Sequence, residues 1–156
     1  MRFELFESFI NKKKKKEYHE LSGVALIVDG RLLLVHAKKY AEFNNKWSIP
    51  KGHIEGDSQD SALKELQEET GIVLDKDCDE MIILEYVKSG ITKLMDVYVY
   101  YRDKKEIEEY LNGWSIKPEY LDGSEIISAK FFNLITTCTK RIDISMIELL
   151  DKLEEE

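Results

Sequence analysis

The sequence predicts an α+β domain, a mixed β-sheet with helices on its faces. Three observations carry that expectation. Strand-like runs recur in pairs around hairpin turns, an amphipathic segment closes on a glycine, and a second amphipathic segment lies near the end of the chain. The size agrees: 156 residues, 43% hydrophobic and 35% charged, suit one soluble domain with a real core. We read residues 1–156 as that single domain, with 1–20 as an N-terminal extension.

The elements follow in order. A lysine run at 12–16 reads plainly as a solvated edge and more sharply as a phosphate contact. Residues 21–28 are rich in strand formers, Asp29-Gly30 is a hairpin turn signal, and 31–36 continue in the same style. Residues 47–49 read as a short strand ended by Pro50, and 50–57 as a loop. Residues 57–70 read as a helix capped by Asp57 or Ser58, with Ala62, Leu63 and Leu66 as its apolar face and Gly71 as its left-handed stop. Residues 81–87 and 93–101 read as two strands with Ser89-Gly90 at the turn. Residues 103–111 read as a short helix or an irregular insertion. Residues 124–134 hold another strand, and 144–153 a helix with Ile144, Ile147 and Leu150 on one face.

Composition excludes several classes. No apolar run approaches the roughly 20 residues of a membrane-spanning helix. The opening residues lack the order of a secretory signal. Cys78 and Cys138 are too few for a disulfide scaffold or a four-ligand zinc site. A cytoplasmic protein is the expectation. The net charge of -8 argues against nucleic acid held by overall charge, so no DNA partner is expected, and no membrane partner is expected either. A polyanionic partner must then be met by a local cationic feature or by metal ions.

The helix over 57–70 carries the wrong charges for stability. Glu65, Glu68 and Glu69 fall within an arc of roughly 100°. Glu65 and Glu69 repel at i and i+4, and anions in a last turn oppose the helix dipole. Lys64 can pair with Glu68. The plain reading is a solvated acidic face; the sharp one is a hard-cation site for Mg²⁺ or Mn²⁺. Ahead of the helix stand Pro50, Lys51, Gly52, His53, Ile54, Glu55, Gly56 and Asp57. Glycine lets a backbone approach a phosphate, and Lys51 adds a compact charge. Strand, loop and carboxylate helix together suit metal-assisted attack on a diphosphate.

These residues resemble the Nudix box of hydrolases acting on nucleoside diphosphates linked to another moiety, whose pattern is G-x5-E-x7-R-E-U-x-E-E-x-G-U, with U aliphatic. From Lys64 to Ile72 every fixed position matches except the arginine, which is Lys64 here. The first half is two residues shorter than the pattern, and its Glu is replaced by Asp57 or Ser58. Arginine offers a bidentate fork where lysine offers a point charge.

The resemblance implies an α/β/α sandwich and a metal-dependent pyrophosphohydrolase. It implies that Glu65, Glu68 and Glu69, with the Gly52 carbonyl and a downstream carboxylate, hold Mg²⁺ or Mn²⁺. Glu125 is the downstream candidate, ahead of Glu119 and Asp122; Glu55 lines the pocket from the loop. Lys64 joins the catalytic set, and Lys46, Lys51, Gly52 and His53 the substrate-binding set. His36 reads as a core or edge histidine, and His19 has no constellation around it. Phe43, Trp47, Tyr86, Tyr98 and Tyr100 are candidate stacking partners for a base, although their strand patterns suit a core.

The order Trp-x-x-Pro-Lys-Gly is similar to that of diadenosine tetraphosphate hydrolases. The expected substrate is therefore a small nucleotide, most simply a dinucleoside polyphosphate. The alternatives are an RNA 5′ end, which the lysine run with Lys38 and Lys39 would track, a diphosphoinositol phosphate, or a non-catalytic nucleotide-sensing module. A monomer or a homodimer is compatible with all of these.

Overall fold

Strand β1 (His19–Val28) is the centre of the architecture. From Ser22 to Val28 it is buried on both faces, as a strand within a covered parallel pair must be. Its parallel partner is the strand Ile91–Arg102, in a register running from His19↔Leu94 to Val28↔Arg102. The computed structural model describes residues 19–38 and 47–133. The lysine run, Lys39, Phe43, Lys46 and the expected 144–153 helix lie outside the described residues.

Asp29 (φ 51°) and Gly30 (φ 74°) make the tight turn into β2 (Arg31–Ala37). The hairpin is shorter than the sequence suggests. β1 and β2 pair only at Ile27↔Leu32 and Val28↔Arg31, then part. Two short strands fill the fork. β3 (Trp47–Ser48) pairs with the end of β2, and β4 (Lys51–His53) with the start of β1. Three of the eight residues of the expected loop over 50–57 are thus strand. Lys51, Gly52 and His53 lie opposite Gly23, Ser22 and Leu21, and the Val24 N–H donates to the Pro50 carbonyl at 3.1 Å.

Helix α1 (Ser58–Thr70) follows. Asp57 caps it by accepting from the Asp60 N–H at 2.9 Å, and Gly71 at φ 78° returns its N–H to the Gln67 carbonyl. Strands β5 (Glu80–Lys88) and β6 (Ile91–Arg102) form the expected antiparallel pair, turned by Ser89 and Gly90 at positive φ. The 103–111 stretch resolves into a short helix α2 (Lys104–Ile107), a 3-10 turn over Glu108–Tyr110 and the first residue of β7 (Leu111–Asn112). β8 (Ser115–Ile116) pairs with β7, a hairpin the sequence reading missed. β9 (Ile126–Asn133) completes the sheet in the order β5-β6-β1-β2-β9-β8-β7.

The sheet buries two cores. Val24, Leu26, Val28, Leu33 and Val35 face Ala62 and Leu66 of α1, with Tyr98 and Tyr100 beside them. Ala25, Ile27, Leu32, Leu34, Ile49, Leu84 and Val97 make the opposite face. Tyr98 and Tyr100 are therefore core, and Trp47 stacks on His36 with its edge to Phe132. His36 is buried, and burial lowers its pKa. Among the described residues no helix is long and apolar enough to cross a membrane.

Candidate active site

α1 leans on β1 and β4, so its carboxylates meet the strand that carries Gly52. A Cβ at Gly52 would run into the Glu65 carboxyl, so glycine is required for that approach. The three helix glutamates then part company. Glu68 is exposed, Glu65 half-buried, and Glu69 only 8% exposed among the apolar residues of the same helix face. Glu69 follows Leu66 by three positions and Ala62 by seven, so the helical period carries it inward.

Burial governs the electrostatics. The Glu69 pKa is pushed up to about 9, first by desolvation and then by Glu65 and Glu125; the Lys51 charge and an N–H donated from the Lys51 backbone pull the other way. Glu69 Oε2 is buried with no hydrogen-bond partner. Glu65 is likewise raised, by burial first, then by Glu68 and Glu125, against Lys64, with Glu55 adding to the rise. Glu125 thus lies near enough to add its charge to both helix carboxylates. The turn before β9 brings it there, where its carbonyl accepts from the Lys38 N–H at 2.7 Å.

A cleft of about 290 Å³ opens beside Glu65 and Glu68 and is lined also by His53, Glu55, Asp60, Ser61 and Lys64. That lies near the lower end for small-molecule sites. Lys64 stands 3.9 Å from Glu68 in an exposed pair, a contact worth little in energy. His53 is exposed and 3.5 Å from Glu20. Asp122 is taken up by the Ser124 N–H and hydroxyl, which lower its pKa, and Glu119 is exposed on a 3-10 turn.

Two groups escaped the sequence reading. Ser61 is buried and clips the shortened loop: it accepts from the Glu55 N–H and donates to the Glu55 carbonyl, both at 2.9 Å. Asp96 is buried in β6 and binds both His19 and Ser58, giving His19 the constellation it was expected to lack. An aspartate inside an apolar strand was the available signal.

The donor set fits a hard divalent cation. It offers carboxylate oxygens in mutual repulsion, one of them buried and unpartnered. Among the described residues no three Asp, Glu, His or Cys side chains already converge into a metal cage.

A mixed sheet that sets a glycine-bearing strand against a glutamate helix is the architecture of Nudix hydrolases. The NUDIX domain family matches residues 18–150, and the chain belongs to it. The C. elegans Ap4A hydrolase in a binary complex is 21% identical, with 86% of this chain and 94% of that one covered and a TM-score of 0.62. A NUDIX hydrolase from Nitrosomonas europaea is 16% identical over 85% and 84%, with a TM-score of 0.64. The NUDIX domain of Shewanella oneidensis NrtR, complexed with ADP ribose, is 14% identical over 86% and 85%, with a TM-score of 0.61. At these identities the likeness is one of fold. No curated protein sequence matches the chain. Family and fold together support a pyrophosphohydrolase acting on nucleoside diphosphate derivatives.

Proposed function

We propose that the protein hydrolyses a phosphoanhydride bond in a dinucleoside polyphosphate such as diadenosine tetraphosphate. Glu65, Glu68 and Glu69 would hold Mg²⁺ or Mn²⁺, with the Gly52 carbonyl and Glu125 completing the set. The observation that carries this is the buried, partnerless Glu69 oxygen beside two further carboxylates. Nothing in the folding of a metal-free protein rewards such an arrangement.

A bound divalent cation would neutralise phosphate charge and acidify a water. The chain does the rest. Lys51 directs a positive charge to the inner carboxylate. A carboxylate at the cleft takes the proton of the attacking water. Water oxygen bonds to phosphorus, the bridging P–O bond breaks, and the leaving phosphate keeps the bond's electrons.

The substrate choice rests on the Lys51 that follows Pro50 and on the fold shared with an Ap4A hydrolase. Purified protein with Mg²⁺ or Mn²⁺ should convert diadenosine tetraphosphate to ATP and AMP, resolved by ion-exchange chromatography. Turnover of ADP-ribose or a 5′-triphosphorylated RNA in its place would reassign the substrate, and a steep salt dependence would mark the RNA. Saturable nucleotide binding without turnover of any of them would favour the sensing module.

A further inference from the structure

Asp96 is 5% exposed in the middle of β6, and its neighbours Met95 and Val97 belong to the opposite core. Its two oxygens hold two different elements. Oδ1 accepts from His19 Nδ1 at 2.7 Å, at the start of β1. Oδ2 accepts from Ser58 Oγ at 2.7 Å, at the first residue of α1. Ser58 is free for this because Asp57 caps the helix.

Those two elements bear the two halves of the cleft. β1 carries β4 along its length through Leu21↔His53, Ser22↔Gly52 and Gly23↔Lys51, and the Ile54 N–H donates to the Glu20 carbonyl at 2.9 Å. α1 carries Glu65, Glu68 and Glu69. Only residues 54–57 join β4 to α1, so the linker has little slack of its own. We propose that Asp96 is a positioning residue, which through His19 and Ser58 sets the spacing between Gly52 and the carboxylate helix.

A buried carboxylate is an expensive way to join packed elements. Apolar residues of like volume hold them as well or better. What the carboxylate adds is direction: two short, charge-assisted bonds fix β1 and α1 relative to one atom group. Groups that orient metal ligands commonly govern metal affinity by about 10–100-fold. The proposal rests on the reading that the cleft holds a divalent cation.

The test compares wild type with Asp96→Asn, Ser58→Ala and Ser58→Thr, and with Leu84→Ala, which weakens the opposite core. Two readouts are used: Mn²⁺ binding by electron paramagnetic resonance, and amide hydrogen exchange of the metal-free proteins. Asp96→Asn and Ser58→Ala should weaken Mn²⁺ binding about 10-fold. Both should speed exchange in residues 51–57 while leaving β2 and β9 protected. Ser58→Thr, which keeps the hydroxyl, should restore both readouts. Leu84→Ala should lower Tm without changing Mn²⁺ affinity. Unchanged exchange over 51–57 in both Asp96→Asn and Ser58→Ala would overturn the proposal, as would Mn²⁺ affinity that tracks Tm across all four variants. If Asp96→Asn does not fold, the serine pair decides. A wild type that binds no Mn²⁺ would remove the metal reading alone, and the exchange pattern would still decide the role of Asp96.

Discussion

Glu69→Gln should make the metal-free protein more stable and the enzyme nearly inactive. The folded value of about 9 stands against an ordinary 4.5. Between these limits the folded chain holds a proton that the unfolded chain has released, so stability falls as pH rises through the window. At pH 7.5, three units above the unfolded value, the penalty is on the order of 4 kcal/mol. Glutamine keeps an acceptor for the Lys51 N–H and carries no charge to desolvate. In EDTA at pH 7.5 the variant should therefore melt at least ~5 °C above wild type, by the scaling of domains this size. The gap should close as pH falls to 4.5 and below, where the unfolded state of wild type also takes up the proton. Adding Mn²⁺ to 100 times its Kd should stabilise wild type by about 2.7 kcal/mol and the variant far less. Turnover should drop at least ~100-fold. Calorimetry over a pH series, with and without Mn²⁺, reads all of this. A variant less stable than wild type in EDTA, or a gap that does not shrink in acid, would refute the reasoning; near-normal turnover would refute the catalytic assignment.

Gly52→Ala should weaken Mn²⁺ binding and cost about 1–3 kcal/mol in urea unfolding, because the new methyl meets the Glu65 carboxyl. Asp57→Ala should cost about 1 kcal/mol by loss of the helix cap, with metal affinity measured by titration unchanged. Leu66→Ala should cost about 2–5 kcal/mol, since the side chain is fully buried between helix and sheet. Glu125→Gln should reduce Mn²⁺ affinity without the stability gain of Glu69→Gln, because Glu125 is exposed; equal melting shifts in the two variants would contradict that contrast.

Local chemistry was legible where the sequence alone determines it. The Asp57 cap, the Gly71 stop and the Asp29-Gly30 and Ser89-Gly90 turns all lie where their residue types predict. The sequence shows the three glutamates of α1 within one arc, but not their separate environments. Glu69 is buried because it continues the Ala62 and Leu66 stripe that α1 packs on the sheet, a membership that its place in the acidic arc obscures. β4 escaped notice because three residues including a glycine carry no strand period, and it is a strand only by pairing with β1. The His19–Asp96 contact spans 77 positions, and the β1–β6 pairing is as distant. Lys64 showed its pair with Glu68, yet its exposure makes it a weak substitute for an arginine fork.

The parallel union of β1 with β6 has a consequence for how this molecule is born. A nascent chain displays the whole glutamate signature once residue 72 has left the ribosome, but the strand that completes the central ladder begins only at Ile91 and ends at Arg102. Until then β1 lacks a neighbour along its full length, and the glycine strand is laid on an unfinished support. Such long-range closure is slow relative to local helix formation. A polypeptide interrupted within β5 would spell the signature in full while the strand that carries Gly52 still lacked the ladder that supports it.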